Sequence, residues 1–105
     1  MGERSYVVVL QVHLFFPESG SLKAKRAELN RVKAHLRQRH GASVAEVDHQ
    51  DTWQRSTLSV ALTSGSVHEL DRAVDRVERY LIDRYPDGAV VRRLQASAED
   101  LGALG

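Results

Sequence analysis

Residues 5–16 keep a two-residue alternation for longer than a helical period allows. Tyr6, Val8, Leu10, Val12 and Leu14 fall on one side, and Val7, Val9, Gln11, His13 and Phe15 on the other. With so many β-branched residues, this run is a long strand. The even set is the core face, because Gln11 and His13 occupy the odd one. Pro17 and Ser19-Gly20-Ser21 end the strand. A strand with one core face needs a second layer to cover it.

The rest of the chain supplies that layer. A helix is predicted from Leu22 to His40, with Ser21 as N-cap, Gly41 as a left-handed C-cap and Leu22, Leu29, Val32 and Leu36 as its apolar stripe. At 100° per residue Lys25 falls inside that stripe, so its stem lies over the core rim with the ammonium emerging at the loop end. Residues 43–49 read as a short second strand. Residues 53–63 read as a third, with Leu58, Val60 and Leu62 inward and Thr57, Ser59 and Ala61 outward. Ser66-Val67-His68-Glu69 is a capping box opening a second helix to about Tyr85, with Val67, Leu70, Val74, Val77 and Leu81 buried. Pro86-Asp87-Gly88 is a turn. Residues 89–96 form a last strand whose facing stays open, and Ser97–Gly105 is expected to fray.

The order β-α-β-β-α-β, with right-handed crossovers, gives an α+β, ferredoxin-like βαββαβ plait: four antiparallel strands with both helices on one face. At 105 residues, the chain is expected to form one domain, its core spanning about residues 5–96. The absence of Cys excludes disulfides, thiolate nucleophiles and Cys-ligated metals. No apolar run approaches the ~18 residues of a membrane span, and Val7–Phe16 lacks the basic leader of a signal peptide. A soluble, cytoplasmic domain is the expectation.

Chain direction carries a functional consequence. Strand one runs up, helix one down, strand two up and strand three down, so residues 17–21, 48–53 and 86–88 share one end of the domain. There the start of helix one meets Asp48-His49-Gln50-Asp51-Thr52-Trp53-Gln54-Arg55, the densest polar chemistry in the chain. Charge is also segregated. Residues 21–40 carry seven bases against the single acid Glu28, a local +6 in a chain of net charge +1.

Ser21-Leu22-Lys23-Ala24-Lys25-Arg26, followed by Val44-Ala45-Glu46-Val47-Asp48-His49-Gln50-Asp51-Thr52-Trp53-Gln54-Arg55, closely resembles the small bacterial YlxP-like family of unknown function. The resemblance covers about residues 5–96. It departs at Ala24, where many members carry Glu. It implies a ferredoxin-like fold and a cytoplasmic bacterial protein. It also implies association with translation, because the family's genes commonly lie beside those for initiation factor two and ribosome-binding factor A. It supplies no catalytic residues.

Four candidate sites follow from the residues. The start of helix one offers free backbone N–H groups to an anion, flanked by Lys23 and Arg26. Lys25 is read there either as facing a ligand or as paired internally, with Asp48 or Asp51 as its partner and Ser21 completing a structural polar cluster. A metal held by His13, Asp48, His49 and Asp51 is not expected, because no ligand spacing is specific. Trp53 and Arg55, carried on strand three beside His13, Gln11, Val9 and Val7, would lie on the sheet face away from the helices. That face serves either to stack RNA bases or to bury Val7, Val9 and Trp53 in a homodimer. The basic helix offers Arg31, Lys33 and Arg37 to phosphates; His35 and His40 add charge only at mildly acidic pH.

No nucleophile elbow, phosphate loop or dinucleotide fingerprint is present, and the Pro-Glu-Ser-Gly-Ser loop lacks the Arg-bearing cradle of acylphosphatases. The expected function is therefore non-catalytic, without a cofactor. It is an accessory protein that contacts structured RNA or a ribosomal particle through Lys23, Arg26, Arg31, Lys33, Arg37, His49, Trp53 and Arg55. The alternative is a homodimeric scaffold or small-ligand module that uses the open sheet face.

Overall fold

The computed structural model describes residues 4–97. The elements are β1 (Tyr6–Phe15), α1 (Leu22–His40), β2 (Ser43–Asp48), β3 (Arg55–Ser64), α2 (Val67–Arg84) and β4 (Ala89–Ser97). The four strands form one antiparallel sheet in the order β2-β3-β1-β4. This is the ferredoxin-like plait predicted above. Ser97, expected to fray, is instead the last residue of β4, opposite Tyr6 of β1; the rest of that expectation, positions 98–105, lies outside the described residues.

β1 is the sheet's organising strand, paired with β3 on one side and β4 on the other. Its even residues Val8, Leu10, Val12 and Leu14 are buried under the helices, together with Leu58, Val60 and Leu62 of β3. Registration settles the facing of β4. Ala89 lies opposite Leu14 and Val91 opposite Val12, so both pack against the core, while Val90, Arg92 and Leu94 take the open face.

Helix ends differ in detail from the prediction. Ser21 Oγ accepts from Ala24 N at 3.0 Å, and Gly41 closes α1 at φ 63°. The buried stripe of α1 is Lys25, Leu29, Val32 and Leu36, so the lysine stem fills the place assigned to Leu22. Leu22 and Val67 begin their helices ahead of the packed turn and are exposed. The capping box of α2 is half formed. Ser66 Oγ accepts from Glu69 N, but the Glu69 carboxylate takes the Ser64 hydroxyl instead of turning back to Ser66. Near the C-terminal end of α1, His35 stacks on Tyr80 of α2 at 3.9 Å. Burial, His35 and Arg76 hold His40 below its ordinary pKa, so charging it takes more acid than its sequence position suggested.

The end of the sheet beyond β1 is tightly closed. Phe15 N donates to Gly88 O at 2.8 Å and Phe16 N to Gln54 O at 2.8 Å, so the turn after α2 and the β2–β3 hairpin both join β1. A Cβ on Gly88 would lie 2.6 Å from the Phe15 carbonyl oxygen. Gly88→Ala is expected to cost about 1–3 kcal/mol, as overpacking does, and to appear as a lowered thermal midpoint. An unchanged midpoint would show that this junction yields freely.

Candidate functional site

The pole formed by residues 16–26, the β2–β3 hairpin and residues 85–88 is where chain direction places it. Its anchor is Lys25, which is 0% exposed. The Lys25 ammonium donates to His49 O at 2.5 Å and Thr52 O at 2.6 Å, and forms an ion pair with Glu46 Oε2 at 3.6 Å. Burial pulls its pKa down, and Glu46 opposes that shift. Lys25 is thus an internal strut, and its partner is Glu46. Of the partners expected from sequence, Asp51 adds only its charge to the support of the ammonium, and Asp48 serves His49, accepting from its N–H at 2.8 Å and lying 3.7 Å from its Nε2; both residues are exposed.

Arg26 is likewise occupied. It donates to Glu46 Oε1 at 2.9 Å and to Gln50 O at 3.0 Å. Glu46 therefore neutralises two cations at the start of α1 and also accepts from the buried Ser56 hydroxyl. This pairing offsets an arrangement the helix itself disfavours, since basic residues in a first turn oppose the macrodipole. The hairpin is gripped through its backbone. His49 lies in the left-handed region at φ 62°, with its carbonyl on the Lys25 ammonium.

Two further bases of α1 are committed elsewhere. Arg37 donates to Val44 O at 2.8 Å, and Arg31 pairs with Glu28 at 3.0 Å. Arg26, Arg31 and Arg37 are therefore not the free phosphate contacts expected of them. Lys23 is exposed, Lys33 half-buried, and neither has a protein partner among the described residues. Helical charge density misled because each arginine has a long stem that reaches a neighbouring acceptor.

Glu28 anchors a second cluster that sequence reasoning missed. Its carboxylate accepts from Arg31, from Arg84 through both Nε and Nη2 at 3.0 Å, and from the Tyr85 hydroxyl. Burial pushes the Glu28 pKa up, but hydrogen bonds from Arg84, Tyr85 and Arg31 outweigh it and hold the carboxyl below its usual range. Burial, reinforced by Glu28, pushes the Tyr85 phenol well up. Tyr85 also meets Phe16 edge-on at 5.6 Å. As the sole acid among seven bases in its stretch, Glu28 was a signal available in the sequence.

Trp53 does not sit on β3. The strand begins at Arg55, and Trp53 stands in the hairpin turn, 50% exposed. The ladder with β1 ends at the Phe15–Arg55 pair, and a bulge between Glu46 and Asp48 interrupts the ladder with β2. Arg55 does reach the open face, opposite Phe15. Val7 and Val9 are half-buried there, beside exposed Phe15, Val90 and Leu94. Thr57, expected outward, is on that face yet only 3% exposed, and shares a hydrogen bond of 3.2 Å with His13 Nδ1. Among the described residues, no group of three or more His, Asp or Glu side chains is arranged to hold a metal ion. Nor is any helix there long and apolar enough to cross a membrane.

Two helices on one face of a four-stranded antiparallel sheet, with a lysine-anchored hairpin at one pole, define a ferredoxin-like α+β protein. Among known proteins, the family model described as "Protein of unknown function (DUF503)" matches residues 7–94, and the chain belongs to that family. It is 36% identical over 70 residues to the uncharacterized protein YlxP of Bacillus subtilis (strain 168), an alignment spanning 67% of this chain and 75% of that relative. The YlxP-like resemblance carried by residues 21–26 and 44–55 is thereby borne out. Among solved structures, the de novo designed protein Foldit4 superposes with a TM-score of 0.58 at 13% identity, covering 88% of this chain and 96% of that one. That likeness is one of fold alone.

Proposed function

We propose that this protein is a non-catalytic accessory factor that contacts RNA, in a ribosomal or pre-ribosomal setting, through its lysine-anchored pole and the adjoining open sheet face. One observation carries the reading: the open face is basic and carries exposed apolar groups. β1, β3 and β4 contribute His13, Arg55 and Arg92 to it, against the Asp48 carboxylate at the end of β2 opposite Thr57, and Phe15 stands exposed among them. Trp53 is exposed at the neighbouring hairpin. Rings beside guanidinium groups suit unpaired bases and their phosphates. The footprint therefore shifts from the length of α1 to Lys23, His49, Trp53 and Arg55, with Arg92 added.

The test is RNA binding measured between 50 and 300 mM salt. Four phosphate contacts on single-stranded RNA should weaken the affinity about a hundredfold over that range. Combining Lys23→Glu with Arg55→Glu should weaken binding further and leave the fold intact, since neither side chain has a protein partner among the described residues. Arg26→Glu is unsuitable because it breaks the Glu46 pair. Salt-indifferent affinity would remove the proposal.

The exposure of Val90 and Leu94, 61% and 65%, favours a second reading in which two copies join through this face. Arg55 and Arg92 count against it, because self-pairing brings like charges together. Sedimentation at micromolar concentration separates the readings, and a strict monomer dismisses the dimer.

A further inference from the structure

A cleft of about 240 Å³ opens at the pole. Two stretches far apart in sequence build its polar wall: β1 gives His13, and the hairpin with the adjoining first position of β3 gives His49 and Arg55. Phe15 and Val90 supply an apolar side, and Ser56 and Thr57 line it as well. We propose that this cleft binds a phosphate monoester, such as the terminal phosphate of an RNA strand; in naming RNA as the source, it rests on the reading above.

Three features point to that ligand. The Arg55 guanidinium has no protein partner among the described residues, and the bond to Thr57 leaves His13 Nε2 without one. A guanidinium and two imidazoles on one lining suit the three terminal oxygens of a monoester better than the two free oxygens of an internal phosphodiester. Next, His49 is the only non-glycine with a positive φ among the described residues. Such a conformation costs energy and persists where its surroundings over-determine it, as functional sites often do. Here the buried Lys25 fixes the His49 carbonyl and Asp48 Oδ1 accepts from its N–H; His49 lines the cleft with its Nε2 3.7 Å from Asp48 Oδ2. Lys25 is in this sense a positioning residue. Finally, Phe15 offers an exposed ring beside the polar wall, where a base attached to the phosphate can stack. Two carboxylates oppose an anion, Asp87 on the lining and Asp48, whose Oδ2 lies 3.7 Å from His49 Nε2, so Asp87→Asn should tighten binding.

The experiment follows the imidazole resonances of the full chain by NMR at constant ionic strength. The probes are inorganic phosphate, a nucleoside monophosphate, and a short oligoribonucleotide with either a 5′-phosphate or a 5′-hydroxyl. The His13 and His49 signals should move with inorganic phosphate, and the phosphorylated oligonucleotide should bind at least tenfold tighter than its hydroxyl counterpart. Arg55→Gln and His49→Asn should abolish that preference, asparagine being chosen because it tolerates the left-handed backbone. Unmoved imidazoles and equal affinity for the two oligonucleotides would overturn the monoester site while leaving general RNA contact standing. A nucleoside monophosphate that binds as tightly as the phosphorylated strand would keep the site and overturn RNA as its source.

Discussion

Changing Glu46 to glutamine should destabilise the fold by about 3–5 kcal/mol, the usual cost of removing one member of a buried ion pair. The Glu46 side chain is 8% exposed and serves Lys25, Arg26 and the Ser56 hydroxyl at once. Without its charge, Lys25 remains fully buried beside neutral acceptors. Lys25→Met alone should also be costly, because it removes the ammonium's bonds to the His49 and Thr52 carbonyls, about 1.5–3 kcal/mol for each hydrogen bond to a charged group. The double variant should lose less than the two single losses added together, since each change removes the reason the other hurts. Urea unfolding of the four proteins measures the coupling. Strict additivity would show that the contact between strand and helix has no energetic content.

Glu28→Ala should cost about 2–3 kcal/mol, in line with losing hydrogen bonds to charged donors, and the deficit should depend on pH. Glu28 titrates lower in the folded chain than its unfolded value near 4.5, because Arg84, Tyr85 and Arg31 together outweigh the upward push of burial. A carboxyl with a depressed folded pKa contributes stability that is complete above its unfolded value and is lost as pH falls through the folded one. The gap between wild type and variant should therefore be widest near neutral pH and close below pH 4.5. A gap constant down to pH 3 would mean that Glu28 acts through packing alone.

The plait was legible because period is a property of neighbouring residues. The alternation of β1 and the stripes of both helices depend on residue identity at fixed spacing, and so do the Gly41 and Ser66 caps. The convergence of the pole was legible too, since it follows from chain direction. Partner choice was not. Glu46 alternates innocuously within a short strand, and nothing local distinguishes it from Asp48 or Asp51 as the counter-charge for Lys25. Its selection follows from register: Glu46 lies opposite Leu58 on the helix side, whereas the bulge leaves Asp48 opposite Thr57 on the open face. Trp53 falls outside β3 because alternation continues in sequence beyond the Phe15–Arg55 pair, where the ladder has already stopped. The arginines of α1 were read as surface charge because a linear sequence does not show how far their stems reach.

The clamp on the hairpin acts through main-chain oxygens. Lys25 holds the carbonyls of His49 and Thr52, and Arg26 holds that of Gln50. The shape of the tip therefore makes few demands on the identity of the side chains displayed there. Gln50 and Thr52 can be exchanged for other residues while the loop keeps its path, which leaves this small scaffold free to acquire new specificities by substitution at its apex.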